Sequence, residues 1–118
     1  MKGDNIADRL LGFAAAVVRF CRTMPKDPAS RHIMRQLVRS STGGGSNYEE
    51  ARCAESRADF IHKVSIATKE LREALYWLRL AEAAKITEQP LDGLTREANE
   101  LVAILTSSIR TAKRRAAS

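Results

Sequence analysis

The sequence predicts an all-α protein, folded as an antiparallel up-down four-helix bundle. Apolar residues recur at spacings of three and four in four separate segments, which is the period of an amphipathic helix. No segment shows the sustained alternation of a half-buried strand, and aromatic residues make up only 5% of the chain. Because four amphipathic helices with short connections pack most simply as a bundle, we predict a single domain over residues 1–118.

The first predicted helix covers about residues 5–22, and the second begins at Pro28. The apolar stripe of the first helix consists of residues at helical spacing, namely Ile6, Leu10, Phe13, Ala14, Val17, Phe20 and Cys21. Asp27 followed by proline is typical of a helix start, because an aspartate can accept hydrogen bonds from the first turn and proline needs no hydrogen-bond acceptor there. The sequence therefore places the first connection at about residues 23–27.

A run of serine, threonine and glycine at residues 40–46 leaves the second helix open to two interpretations. Each glycine costs about 1 kcal/mol relative to alanine within a helix, so propensity favours a loop that breaks the helix here. The alternative is one long helix whose glycines let another helix approach closely. Ile33, Leu37, Gly44 and Tyr48 keep helical spacing through the run, as the alternative requires.

The third predicted helix covers about residues 57–84 and the fourth about residues 90–114. Ser56 and Asp59 resemble a capping box at the start of the third helix. The stripe of the third helix contains Phe60, Val64, Ala67, Leu71, Leu75 and Leu78. The stripe of the fourth contains Leu94, Ala98, Leu101, Leu105, Ile109 and Ala112.

The chain is basic, with 20 lysines and arginines against 14 acidic residues and a net charge of +6. This balance fits a polyanionic partner such as RNA or DNA. Two groups of basic residues are the predicted phosphate contacts, because neither has an acid between its members. The first group is Arg31, Arg35 and Arg39, and the second is Arg110, Lys113, Arg114 and Arg115.

Each basic group also has an ordinary structural interpretation. The row in the second helix can be a solvated face, or can pair with acidic residues of a neighbouring subunit. The basic residues that end the fourth helix suit the negative end of its dipole and favour solubility. With so few aromatic residues to stack on bases, we expect any nucleic-acid binding to be electrostatic, salt-sensitive and weakly sequence-specific.

The sequence contains no recognisable catalytic, metal or cofactor site. Cys21, His32, Cys53 and His62 lack the paired spacing of a zinc site, and no lysine follows the glycines as in a phosphate-binding loop. The Glu-x-x-His pairs of a di-iron bundle are also missing. We therefore predict a protein that is not an enzyme and has no cofactor. Without a long apolar window or a secretory signal, we expect it to be cytoplasmic.

The central part of the sequence resembles the small bacterial "four helix bundle protein" family. The resemblance begins with Val38-Arg39-Ser40-Ser41 and Asn47-Tyr48-Glu49-Glu50-Ala51. It continues through Ala54, Glu55, Ser56, Asp59, Phe60, Lys63, Lys69, Glu70, Glu73, Trp77 and Leu78. Members of this family are relatives of proteins encoded in intervening sequences of large-subunit ribosomal RNA genes. The chain is similar, more distantly, to accessory proteins of diversity-generating retroelements.

The resemblance implies an up-down bundle that assembles as a homopentamer. It also implies RNA or DNA binding through basic surfaces, and a non-catalytic role as an accessory protein to a reverse transcriptase. For the glycine run it implies one helix from about residue 28 to residue 53, although the family usually has bulkier residues where this chain has three glycines. The alternative function is that of a protein-directed scaffold or adaptor whose arginines serve subunit contacts.

Several polar signature residues lie near the apolar stripes, and we predict that they form a structural network that fixes the register of the helices. Buried charges must be paired, because an isolated one is too costly. The predicted network consists of Asn47, Glu50, Lys63, Glu70 and Glu73. Trp77 is expected either to pack within the bundle or to lie at a subunit interface, where tryptophan is enriched.

Overall fold

A computed structural model describes residues 2–117, which form four helices and no strand. The helices are α1 (Lys2–Cys21), α2 (Pro28–Arg52), α3 (Arg57–Ala83) and α4 (Asp92–Ala117). The predicted all-α fold class is confirmed. Among these residues no helix has the length and apolar character needed to cross a membrane.

The helices form an elongated bundle in which each packs against two neighbours. The contacting pairs are α1 with α2, α2 with α3, α3 with α4, and α4 with α1. Successive helices are antiparallel, and the bundle measures 51 × 22 × 21 Å. One end therefore brings together the start of α1, the end of α2, the start of α3 and the end of α4. We call it the α4 end.

Apolar residues of the four stripes meet along the bundle axis. Removing such side chains from water is the main source of stability in a bundle of this kind. The largest aliphatic residues that are fully enclosed all belong to the predicted stripes, and they are Leu10, Leu37, Leu71, Leu78, Leu101 and Leu105. The apolar periodicity of the sequence therefore identifies the inner face of every helix.

Side-chain caps fix the starts of α2 and α3. The Asp27 carboxylate accepts a hydrogen bond from Ser30 N at 3.1 Å, and hydrogen bonds from the Ser30 hydroxyl and backbone N–H lower the pKa of Asp27. The Ser56 hydroxyl accepts from Asp59 N at 3.0 Å. The returning bond is shifted by one residue from a capping box, because Asp59 accepts from Glu55 N at 3.4 Å.

The glycine run lies inside α2, which continues unbroken from Pro28 to Arg52. The loop that propensity favours is therefore wrong, and the long helix is right. α3 approaches α2 so closely here that a methyl group added at Gly44 would overlap the Leu71 side chain. One added at Gly43 would overlap the Glu70 carboxylate. Tertiary packing thus overrides the low helix propensity of glycine.

Candidate nucleic-acid interface

The first basic group is divided by the structure. Arg31, Arg35 and Arg39 are all exposed on α2. Arg39, however, pairs with Glu73 and with Glu70, whose Oε2 lies 3.3 Å from its Nη1. Neither Arg31 nor Arg35 forms an ion pair with a residue of the described range 2–117. Only the first two arginines of the predicted row are therefore available to phosphates without breaking an existing pair.

The carboxylate of Glu73 also holds Trp77. Trp77 Nε1 donates a hydrogen bond to Glu73 Oε2 at 3.0 Å. The indole ring packs against the core and meets the His32 ring edge-to-face, with 5.7 Å between ring centroids. Trp77 therefore packs within its own bundle, as the first of the two alternatives predicts.

The five predicted network residues lie in three separate places. Glu70 and Glu73 pair with Arg39. Glu50 pairs with Lys63 across α2 and α3, with 3.5 Å between Oε1 and Nζ. Asn47 donates to the Gly43 carbonyl of its own helix at 2.8 Å. Because Glu50 follows Arg39 by eleven residues, the two ion-pair sites are about 16 Å apart along the helix. They connect α2 and α3 at two levels, and they do not form one connected network.

α1 and α4 are joined by a further ion pair that the sequence analysis did not identify. Arg9 Nη2 lies 2.6 Å from Glu97 Oε1 and 3.2 Å from Glu100 Oε2. The hydrogen bond to Glu97 is the main cause that raises the pKa of Arg9. The partners are 88 and 91 residues apart in sequence, so no local spacing could have indicated the contact.

The second basic group occupies the last turns of α4. Arg110, Lys113, Arg114 and Arg115 are all exposed, and α4 contains no acidic residue after Glu100. Two arginines that the sequence analysis did not select lie at the same end of the bundle, Arg52 at the end of α2 and Arg57 at the start of α3. We call these six residues the basic end: Arg52, Arg57, Arg110, Lys113, Arg114 and Arg115.

Some acidic side chains at this end of the bundle are already paired with cations. Arg52 Nη1 lies 3.3 Å from Glu49 Oε1, and Glu50 is paired with Lys63. Arg57 forms no ion pair within the described residues 2–117. The folded topology, and not any spacing in the sequence, brings Arg57 to the same end as the α4 group. A prediction that followed the antiparallel order of the helices could have found it.

The two predicted basic groups are too far apart to form one patch. Arg52 marks the end of the bundle where the second group stands. Arg35, the nearer of the two available arginines, precedes Arg52 by 17 residues, which corresponds to about 25 Å along α2. Successive phosphates of one strand are about 3.4 Å apart along a duplex, so the gap corresponds to about seven nucleotides. A strand shorter than this gap can therefore contact one group or the other, but not both on one subunit.

The histidines and cysteines do not assemble into a site. Within residues 2–117, no three His, Cys, Asp or Glu side chains are placed to hold a metal ion. Cys21 lies partly buried at the end of α1, 3.9 Å from the Met34 carbonyl oxygen. Cys53 is exposed at the opposite end of the bundle, as the C-cap of α2.

The two cysteines are expected to differ strongly in reactivity. Burial raises the pKa of the Cys21 thiol to about 11, so roughly one Cys21 side chain in a thousand is a thiolate at pH 8. We expect a disulfide reagent to modify exposed Cys53 at pH 8, and to modify Cys21 about tenfold faster with each added pH unit. Since the folded protein holds this proton more tightly than the unfolded chain, the associated stability is present below pH 9 and lost towards pH 11. Equal labelling rates at pH 8, measured with single-cysteine variants, would contradict this prediction.

Comparison with known proteins agrees with the fold. A family model described as 23S rRNA-intervening sequence protein matches residues 5–107. The match includes Arg31 and Arg35, whereas the basic residues that end α4 lie beyond it. No curated protein matches the chain.

A solved structure is similar over almost the whole bundle. It is the crystal structure of a protein with unknown function from the S23 ribosomal protein family of Bacteroides thetaiotaomicron VPI-5482. The two chains are 34% identical, the match covers 93% of this chain and 99% of that one, and the TM-score is 0.84. The likeness therefore extends to the packing of all four helices.

Proposed function

Because the chain belongs to the 23S rRNA-intervening sequence protein family, we propose that it is a non-catalytic, homo-oligomeric bundle that binds nucleic acid through its basic end. The observation that carries this proposal is the clustering of cations at one end. Four basic residues project from an acid-free stretch of α4, and Arg57 of α3 joins them without an ion pair in the described range 2–117.

The proposed binding is electrostatic. Each phosphate that a lysine or arginine neutralises releases bound counterions, so the affinity falls steeply as salt is added. Phosphate contacts position a nucleic acid but do not distinguish its sequence. None of the six residues of the basic end is aromatic, so these residues do not themselves provide a row on which successive bases could stack. We therefore infer weak sequence preference and strong salt dependence.

The test is an anisotropy titration of a fluorescent single-stranded RNA, repeated at 50, 100 and 200 mM salt. With five or six phosphates neutralised, the slope of log affinity against log salt is expected to be about −4, at roughly 0.7 per phosphate. A slope near zero, or no binding at 50 mM salt, would contradict the proposal. A duplex DNA of equal length is the comparison that shows which nucleic acid binds more tightly.

A second candidate function, that of a protein-directed scaffold, is favoured by a different surface. Leu11 is 70% exposed and Val18 36% exposed, and they stand two turns apart on one face of α1. Two such side chains on one helix face offer a small apolar surface for contact with another protein. We propose a second copy of this chain as the occupant, because self-association is also part of the leading proposal.

Light scattering after size exclusion separates the two functions. The leading proposal expects an oligomer, proposed as a pentamer, that gains mass with RNA at low salt and loses it at high salt. An oligomer that ignores RNA at both salt concentrations favours the scaffold. A monomer that remains monomeric at high protein concentration would contradict self-association in both. Leu11→Ser is expected to weaken the oligomer. Asp8→Ser, at another exposed position of α1, is the control and is expected to leave the oligomer unchanged.

A further inference from the structure

The α4 end contains a cleft of about 660 Å³ to which all four helices contribute. This volume lies within the range of small-molecule sites. Ile6 of α1, Phe60 of α3 and Ile104 of α4 form an apolar part of its wall. None of the described residues that line the cleft is acidic.

The wall contributed by α4 combines apolar and hydroxyl side chains. The inward stripe of the helix stays apolar through Leu105 and Ala112, both of which are buried. Beside this stripe, Ser108 and Thr111 line the cleft, and Arg115 lines it in the last turn. These hydroxyls and the guanidinium provide hydrogen-bonding groups around the cleft.

Three guanidinium groups border the same space. Arg52 comes from the end of α2, Arg57 from the start of α3 and Arg115 from the last turn of α4. The planar fork of a guanidinium matches the oxygens of a phosphate in a bidentate geometry. The N-terminal end of α3 adds a positive partial charge at Arg57. The cleft therefore combines a cationic rim with an apolar wall.

We propose that this cleft binds one nucleoside phosphate unit. This inference deepens the proposed function, on which it rests, by assigning a specific pocket within the basic end. The phosphate would lie at Arg57, the sugar near the hydroxyls of α4, and the base against Phe60 and Ile104. Inorganic phosphate would use the guanidinium alone, whereas a nucleotide also matches the hydroxyls and the apolar wall. The unit is either a free nucleotide or a nucleotide at the end of a bound strand.

The test compares ligands that share a phosphate but differ in the base. Calorimetric titrations of the full chain use adenosine monophosphate, ribose 5-phosphate and inorganic phosphate as probes. We expect adenosine monophosphate to bind at least tenfold more tightly than the other two. Equal binding of all three would mean that only the cationic rim acts, and would overturn the proposal.

A matched pair of arginine variants locates the site. Arg57→Gln is expected to weaken adenosine monophosphate binding at least tenfold. Arg72→Gln removes the same charge from an exposed position of α3 outside the cleft and is expected to leave it unchanged. Equal effects of the two substitutions would overturn the assignment to the cleft. Both positions are exposed, so both variants are expected to fold, which circular dichroism checks.

The same variants, titrated with RNA, separate this inference from the function on which it rests. If Arg57→Gln weakens both nucleotide and RNA binding, the occupant is a nucleotide of the strand. If it weakens nucleotide binding alone, the occupant is a free nucleotide. RNA binding without nucleotide binding would overturn the cleft and leave the proposed function standing. Nucleotide binding without RNA binding would overturn the proposed function and leave the cleft as a nucleotide site.

Discussion

Replacing Arg110, Lys113, Arg114 and Arg115 together by glutamine is expected to remove most of the salt-dependent affinity for RNA. With roughly 0.7 counterions released per phosphate of a single strand, loss of four contacts lowers the slope of log affinity against log salt by about 3. Between 50 and 200 mM salt, the affinity of the unmodified chain for RNA therefore falls about 50-fold more than the affinity of the variant. Anisotropy titrations of both proteins over this range measure it directly.

The control variant carries the same change in net charge on other surfaces. It replaces four exposed arginines that form no ion pair within residues 2–117 and lie outside both basic groups: Arg19, Arg72, Arg79 and Arg96. We expect the slope of this control to stay close to that of the unmodified chain. If both variants lose slope equally, only the net charge acts and the basic end is not a site. If neither loses slope, binding must occur elsewhere, and Arg31 and Arg35 become the residues to test.

The sequence could predict which residues are basic, but not which of them are already engaged. Arg31, Arg35 and Arg39 are indistinguishable by spacing, since all three occupy one row of α2. Their difference arises from α3, whose Glu70 and Glu73 stand opposite Arg39 alone. An inter-helix partner depends on the axial register of two helices, and apolar stripes fix that register only loosely. The predicted network likewise separates into two ion-pair sites, because Glu70 and Glu73 stand opposite Arg39 whereas Lys63 stands opposite Glu50, about three turns further along α2.

The sequence could not predict the cleft, for a related reason. The residues that line it come from four helices, and the first and last are more than 100 positions apart. Local patterns explain each of these residues without a cleft. Arg115 suits the negative end of the helix dipole, and Ile6 and Phe60 belong to apolar stripes. The helices themselves were predictable because their signal is local and repeated in every turn. Sites assembled at the end of a bundle have no such repetition.

Replacing Gly44 by alanine is expected to destabilise the protein, although alanine is the better helix former. The substitution gains about 1 kcal/mol of helix propensity. Against this gain, the added methyl group overlaps the side chain of Leu71, which is fully enclosed and would have to shift within the core. Overpacking of this kind typically costs about 1–3 kcal/mol, so the net loss is expected to reach about 2 kcal/mol. Urea denaturation of the unmodified and substituted chains measures the difference in the free energy of unfolding.

Gly45 supplies the matched control, because the same substitution one residue along α2 is expected to have the opposite sign. A methyl group at Gly45 would lie 3.7 Å from Leu10 Cβ, which is an ordinary contact, so the propensity gain of about 0.5–1 kcal/mol remains. If both substitutions stabilise the protein, Leu71 can move and the close approach of α3 is not what requires glycine in α2. If Gly44→Ala destabilises it and Gly45→Ala does not, the close approach of α3 requires glycine at position 44 but not at position 45. Gly45 then lowers helix stability without serving the α2–α3 contact. This outcome would explain how the bundle keeps a continuous α2 through a segment that propensity assigns to a loop.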